Sequence, residues 1–329
     1  MRVAMFSAKR YERELLDELN GHEHELVYFD TMLGPDTASL AAGFPAVSVF
    51  VNDAVDGRVL KQLAADGTRL VTTRSTGFNH IDVKAAKQIG IKVARVTDYS
   101  PNSVAEFAVG LLLALNRRIP RAYNRTRDGN FELDGLMGFD LVGKTVAVIG
   151  TGKIGTIFAR IMAGFGCKML GFDVHHSPEF EKIGGRYVPA GEIHAAADII
   201  SLHCPLTPQT RHIINAGTLA RMKKGALLIN TSRGGLLDTE AAIEALKSGQ
   251  LGGIAIDVYE QEASLFFKDL SNTVISDDVI QRLVSFPNVI LTGHQAFFTR
   301  EALKEILDTT LGNISDFAAG CPLVNEIKV

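Results

Sequence analysis

The segment Val146-Ala147-Val148-Ile149-Gly150-Thr151-Gly152-Lys153-Ile154-Gly155 constrains this chain more than any other. A run of buried-strand residues leads directly into GxGxxG, and a helical pattern over residues 156–163 follows. That order is a strand, a tight turn and a helix. Gly150 permits the turn, Gly152 lets the backbone approach a pyrophosphate, and Gly155 allows close packing of helix on strand. The helix N-terminus attracts the anion. Lys153 and Ile154 lie on the same turn. The next strand ends at Asp173, 18 residues after Gly155, where a carboxylate can accept hydrogen bonds from adenosine ribose hydroxyls. Its charge would repel a 2′-phosphate, and Val174, His175 and His176 follow it with no arginine, so NAD is expected over NADP.

The turn sits in a longer alternation. Short β-rich runs at residues 2–6, 25–29, 46–51, 69–73 and 92–96 are separated by helical patterns such as 11–19 and 58–65. A second series follows at 145–149, 168–172, 198–202, 226–230, 253–257 and 289–291. Strands alternating with helices predict parallel sheets covered on both faces. The expected fold is α/β, with two doubly wound, Rossmann-like parallel-sheet domains and a cleft between them. At 329 residues the chain has room for two domains at ~100–200 residues each. Ser100-Pro101 reads as an N-cap with proline at the first helical position of a long apolar helix. The expected division gives 1–99 plus 299–329 to a substrate-binding domain and 100–298 to an NAD-binding domain. The last helical stretch, 300–317, would return to the first domain.

Composition narrows the partners. Hydrophobic residues at 46% and charged residues at 22% are globular usage. A formal net charge of -3, without a dense basic run, argues against nucleic acid. The strongest apolar run, 109–115, is far shorter than the ~20 residues that span a bilayer. The N-terminus runs straight into polar residues, so neither a membrane nor a secretory signal is expected. Cys167, Cys204 and Cys321 form no CxxC pair and fit a reducing, cytoplasmic compartment. His22, His24, His175 and His176 lack partner ligands at metal spacing; they read as solvated surface histidines, and no metal is expected.

Reduction of a 2-oxo acid needs a cation for the carboxylate, a proton donor for the carbonyl oxygen and a group that tunes the donor. The second series offers each at a strand end. Asn230-Thr231-Ser232-Arg233-Gly234-Gly235 places a guanidinium where ligands of open α/β sheets bind. Asp257-Val258-Tyr259-Glu260-Gln261-Glu262 and Gly293-His294-Gln295-Ala296-Phe297-Phe298 follow the next two strands. On residue type alone, Glu262 reads equally well as a solvated loop acid and His294 as a cap or satisfied core histidine.

These segments, with Arg74-Ser75-Thr76-Gly77-Phe78-Asn79-His80-Ile81-Asp82 and Tyr99-Ser100-Pro101-Asn102, resemble the D-isomer-specific 2-hydroxyacid dehydrogenase family over nearly the whole chain. Glu262 with Leu265-Phe266-Phe267, and His294 through Thr299, most resemble its fermentative D-lactate dehydrogenase branch. The resemblance implies hydride transfer between NADH and pyruvate. Arg233 would bind substrate, His294 would act as acid/base, and Glu262 would pair with His294. Backbone amides near Thr76 and Gly77 would hold the substrate carboxylate, and Phe50, Tyr99 and Phe297 would shape the pocket. Lys153, Ile154, Asp173, Cys204, Pro205, Thr210, Thr231, Ser232 and Asp257 fall where the family contacts NAD. A homodimer or homotetramer is implied in the same way. The rivals are a dehydrogenase of glyoxylate, hydroxypyruvate or a branched-chain 2-oxo acid, and an NAD-sensing corepressor-like binding protein. No added regulatory domain and no recruiting tails are expected.

Overall fold

Runs of four aliphatic or β-branched residues such as Ala46–Val49 and Leu70–Thr73 are buried at every position, which only a sheet covered on both faces allows. A computed structural model describing residues 1–328 shows the outcome. Five strands, β1 (Arg2–Met5), β2 (Glu25–Tyr28), β3 (Ala46–Val49), β4 (Leu70–Thr73) and β5 (Lys92–Arg95), form one parallel sheet in the order β2-β1-β3-β4-β5. The order reverses between β1 and β3. In open α/β sheets ligands bind beyond the carboxyl ends of strands at such a reversal.

Seven strands make the second sheet: β6 (Thr145–Ile149), β7 (Lys168–Phe172), β8 (Arg186–Tyr187), β9 (Ile199–Leu202), β10 (Ala226–Asn230), β11 (Leu251–Ile256) and β12 (Val289–Leu291). Their order is β12-β11-β10-β9-β6-β7-β8, all parallel. Its reversal falls between β6 and β9, at the glycine turn. The α/β class and both parallel Rossmann-like sheets are as the alternation predicts.

The chain divides into two compact units, Met1–Ser100 with Phe298–Val329, and Pro101–Phe297. In the first, a core of Ala4, Phe6, Val47, Val49, Leu60 and Leu63 lies against the sheet. The helix Arg300–Ala318 packs on the helix Arg10–Asn20 and on β4. Asn313 donates to the Arg95 carbonyl at 3.1 Å, and Ile327 N–H donates to the Val93 carbonyl at 2.8 Å. In the second unit the helix Pro101–Asn116 and the helix Lys153–Gly164 cover one face of the sheet through Leu112, Leu115, Phe158 and Met162. Each such fully buried side chain contributes about 1.5–3 kcal/mol of transfer free energy.

Three features depart from the sequence expectation. β8 is two residues long, too short for a period-two pattern to register. The helix Ile119–Arg127 buries no residue: its short apolar stripe of Ile119, Ala122 and Tyr123 stays on the surface of the chain. His24 is 7% exposed rather than solvated: Nε2 lies 3.0 Å from Ser315 Oγ and Nδ1 3.5 Å from the Met1 ammonium. Burial lowers its pKa and favours the neutral ring. The helix that returns near the end of the chain supplies that burial, which no local pattern announces. Among the described residues no helix is long and apolar enough to cross a membrane, and no cluster of three or more His, Cys, Asp or Glu is placed to hold a metal.

Candidate active site

The glycine turn after β6 is built as a cradle. Gly150 has φ +96°, and a Cβ there would meet the Cys204 nitrogen and the His203 carbonyl at 2.5–2.6 Å; one on Gly155 would lie 1.9 Å from the Gly150 oxygen. Neither position admits a side chain. At Gly152 the same construction meets nothing within 4 Å. Gly152 caps the helix Lys153–Gly164 with no side-chain acceptor, so the first-turn N–H groups are left for an anion. The turn fits a pyrophosphate.

Asp173 stands one residue beyond β7. Its Oδ2 accepts the Thr151 N–H at 2.6 Å and its Oδ1 accepts the His175 N–H at 3.1 Å. Thr151 Oγ1 lies 2.6 Å from the Tyr187 hydroxyl. The carboxylate therefore braces the glycine turn and keeps lone pairs for ribose hydroxyls, each oxygen having two. Sequence reasoning missed the brace because Thr151 and Asp173 are joined only through the β6–β7 pairing.

The loop after β9 carries Cys204, Pro205 and Thr210. Cys204 is buried, and burial pushes its thiol up to about 11. The Pro205 carbonyl accepts from Thr210 Oγ1 at 2.7 Å, and the Cys204 carbonyl accepts from Ser232 Oγ at 2.8 Å. His203 beside them was not anticipated. Burial drives its imidazole down to about 3, and Nε2 lies 2.8 Å from Ser201 Oγ. Thr231 differs from its neighbours: its Oγ1 is buried with no hydrogen-bond partner among the described residues. Buried hydroxyls are rarely left so, and a bound cofactor would supply the missing partner.

Arg233 follows β10. The fully buried Asn230 fixes this loop, accepting the Ser232 N–H at 3.0 Å and donating to the Arg233 carbonyl at 2.9 Å. A Cβ at Gly234 would meet the Tyr259 carbonyl carbon at 2.1 Å, so this loop packs directly on the next one. Arg233 Nη1 donates to the Ser232 carbonyl at 2.7 Å, which leaves most of its five donors unspent.

Glu262 and His294 meet. His294 Nδ1 is 2.8 Å from Glu262 Oε1, and Glu262 Oε2 accepts the Tyr259 N–H at 3.0 Å. An ionised carboxylate has no proton to give, so Nδ1 carries the hydrogen and Nε2 is the ring's exchangeable position. The His294 backbone has φ +56°, uncommon for a residue with a side chain. Asp257, at the end of β11 and wholly buried, sets it there. Its carboxylate accepts Thr292 Oγ1 at 2.5 Å, the Gln295 N–H at 2.9 Å and the Ala296 N–H at 2.8 Å, while its carbonyl accepts the His294 N–H at 2.7 Å. Burial raises the Asp257 pKa against the lowering effect of those donors. Asp257, expected among the cofactor contacts, also braces the His294 loop through these oxygens. Phe297 is three residues further on that loop, half-buried.

The other expected residues belong to the first unit. Phe50 follows β3 and is 4% exposed. Its N–H donates to Asp53 at 2.6 Å, and the same carboxylate accepts Ser7 Oγ and the Leu33 N–H at 2.7 Å. Thr76 and Gly77 follow β4, where their carbonyls accept from Arg95 at 3.1 Å and from Ser75 Oγ at 2.7 Å. Arg74 anchors that loop from beneath. Its guanidinium is completely buried, ion-paired with Glu12 at 3.2 Å, and donates to Ser48 Oγ and the Phe6 carbonyl. Asp53 and Arg74 were legible only as part of polar runs, since their partners lie 46 and 62 residues away. Tyr99 lies half-buried just before the helix Pro101–Asn116.

Residues 109–296 match the NAD-binding domain of the D-isomer specific 2-hydroxyacid dehydrogenases. The chain belongs to that family. It is 53% identical to 2-hydroxyacid dehydrogenase A of Aspergillus oryzae over 321 residues, 96% of this chain and 92% of that one. It is 48% identical to the D-lactate dehydrogenase of Escherichia coli over 328 residues, 99% and 100% of the two chains. A solved structure described as the pyruvate reductase of Chlamydomonas reinhardtii superposes with a TM-score of 0.95 at 43% identity, covering 99% and 98%. Membership makes the chain an NAD-dependent oxidoreductase acting on small hydroxy or oxo acids, so the glycine cradle is read as an NAD site.

Proposed function

We propose that this dehydrogenase interconverts pyruvate and D-lactate, with Arg233, Glu262 and His294 as its chemical centre. The Glu262–His294 pair carries the proposal, because a carboxylate at Nδ1 leaves Nε2 as a proton carrier on a braced loop. When bound, NADH supplies hydride to C2 of the substrate. Arg233 holds the substrate with its planar fork, bidentate to a carboxylate in a way an ammonium cannot match. Protonated His294 gives its Nε2 proton to the carbonyl oxygen as negative charge develops there, and in oxidation neutral Nε2 takes it back. Glu262 stabilises the charged ring between those events. Backbone amides at Thr76 and Gly77 are the groups assigned to the substrate carboxylate, and the aromatic residues Phe50, Tyr99 and Phe297 are assigned to its side chain, as the resemblance implies.

Lys153, Ile154, Asp173, Cys204, Pro205, Thr210, Thr231, Ser232 and Asp257 hold the dinucleotide, and Asp257 also braces the acid/base loop. The reading includes a cytoplasmic homo-oligomer formed through the cofactor-binding unit, as the resemblance implies. The test is NADH oxidation with pyruvate, glyoxylate, hydroxypyruvate and 2-oxoisocaproate, followed by assignment of product chirality. Pyruvate should give the highest catalytic efficiency and D-lactate as product. Higher efficiency with 2-oxoisocaproate would move the chain to a neighbouring specificity, and no turnover of any acid would favour a binding protein.

A further inference from the structure

The loop after β4 presents three successive N–H groups, those of Thr76, Gly77 and Phe78, with no acceptor among the described residues. Successive unspent amides make a concavity for an anion when their peptides are held in one orientation. Two side chains outside the chemical centre hold them. Arg95, the last residue of β5, donates from Nη1 to the Thr76 carbonyl at 3.1 Å, and its guanidinium carbon lies 5.1 Å from the centre of the Phe78 ring. A trans peptide sets C=O and N–H antiparallel, so gripping the Thr76 oxygen turns the Gly77 N–H to the opposite side. A cation on that oxygen also strengthens the N–H as a donor. Arg95 is itself fixed from distant sequence: its N–H donates to the Asn325 carbonyl and its carbonyl accepts from Asn313, both at 3.1 Å.

The next peptide is gripped in the same way. Ser75 Oγ lies 2.7 Å from the Gly77 carbonyl, Thr73 Oγ1 lies 2.7 Å from Ser75 Oγ, and His80 Nε2 lies 3.3 Å from Thr73 Oγ1. Counting protons fixes the direction of this chain. A carbonyl only accepts, so Ser75 spends its single proton there; Thr73 must then donate to Ser75, and His80 must donate to Thr73. His80 is therefore the Nε2–H tautomer, and burial, which pushes its pKa down to about 4, keeps the ring neutral. The chain ends at the Gly77 oxygen and so orients the Phe78 N–H across the same peptide. We propose that Arg95 and Ser75 are positioning residues for the substrate carboxylate, aiming the loop amides at it through the Thr76 and Gly77 carbonyls. The proposal rests on the reading that these amides receive that carboxylate. Both residues act on binding and not on proton transfer, so KM should move while kcat holds.

The test compares wild type, Arg95→Gln and Ser75→Ala as full chains saturated with NADH. Oxamate, a pyruvate isostere that keeps the carboxylate, is titrated by the change in cofactor fluorescence, and KM and kcat are measured with whichever 2-oxo acid turns over best. Every such acid carries the carboxylate, so the result does not depend on which one is preferred. Arg95→Gln should raise the oxamate Kd and the KM about tenfold, and Ser75→Ala about threefold. The kcat should stay within about twofold of wild type, with the Kd for NADH and the pH limbs unchanged. Ser75→Ala removes one oxygen, so it serves if Arg95→Gln folds poorly. Wild type that binds oxamate as tightly as both variants do would overturn this proposal and leave the functional reading intact. A fall in kcat at unchanged KM would also overturn it, because the residues would then act on the chemical step. Wild type that neither binds oxamate nor reduces any 2-oxo acid would overturn both.

Discussion

Replacing Glu262 by Gln keeps the shape of the His294 partner and removes its charge. At the 2.8 Å separation of Nδ1 and Oε1, two unit charges interact by about 1.5 kcal/mol under bulk-water screening and about 6 kcal/mol at an effective dielectric of 20. The two side chains are 23% and 27% exposed, so solvent screening places the interaction toward the lower bound, about 1.5–3 kcal/mol. Each 1.4 kcal/mol is about tenfold in rate. Glu262→Gln should therefore lower kcat/KM for pyruvate reduction by about ten- to a hundredfold at neutral pH, with less loss at acid pH. The direction follows from the chemistry: reduction needs the imidazolium, and losing the carboxylate makes that form harder to keep as pH rises. Lactate oxidation needs neutral imidazole, so its rising limb should move the same way. The assay is a pair of pH–rate profiles for each direction, with a deuterated cofactor to establish that hydride transfer limits the rate. An unshifted limb would remove Glu262 from the acid/base unit, even if the overall rate had dropped.

Four further outcomes follow from particular contacts. Arg233→Lys keeps the charge and loses the fork, so kcat/KM for pyruvate should stay at least about a hundredfold below wild type; near-normal activity would refute the assignment. Asp173→Ala should narrow the preference for NADH over NADPH, mainly by weakening NADH, because the brace to Thr151 is lost along with the negative charge. Thr231→Val removes a hydroxyl that has no hydrogen-bond partner among the described residues, so cofactor-free stability should hold in urea titrations while the Kd for NADH rises several-fold. His203 and His80 are held neutral by burial, with pKa values near 3 and 4 against 6.5 in the unfolded chain. Below pH 6.5 the unfolded chain takes up protons that the folded one refuses, so the stability these rings confer is complete above that pH and lost as pH falls toward 4. Urea midpoints measured against pH should show this slope, and His203→Asn should flatten it by about one proton.

Much of the fold was legible because its signal is local. The aliphatic runs that became β3, β4, β9 and β10 are continuous, bounded and repeated, and GxGxxG fixes where strand gives way to helix. Burial of His24 and Arg74 was not legible, since the partners that enclose them arrive from distant segments: Ser315 for His24, and Glu12 and Ser48 for Arg74. The helix Ile119–Arg127 escaped notice because its apolar stripe is only Ile119, Ala122 and Tyr123, set among proline, arginines and amides. Within the candidate site, Arg233, Glu262 and His294 stand out by residue type at strand ends. Their meaning came from motif resemblance, because a lone glutamate and a lone histidine 32 residues apart carry no sequence sign that they touch.

Asp257 shows how such a pair can be held without being rigid in itself. A buried carboxylate is costly unless donors surround it, and three donors reach this one from a stretch of only five residues, Thr292 to Ala296. Those bonds oblige the chain to bend where His294 stands, and the left-handed backbone there costs of order 1–3 kcal/mol. The strain and the buried charge thus compensate one another: the loop satisfies Asp257, and Asp257 keeps the loop in a conformation it would otherwise leave. His294 Nδ1 is then presented to Glu262 by the backbone, and the Nδ1···Oε1 bond has only to set the ring's tautomer. Orientation and protonation come from different residues. Asp257→Asn should accordingly disturb rate and substrate affinity together, because it loosens the His294 loop, whereas Glu262→Gln acts mainly on the pH limb.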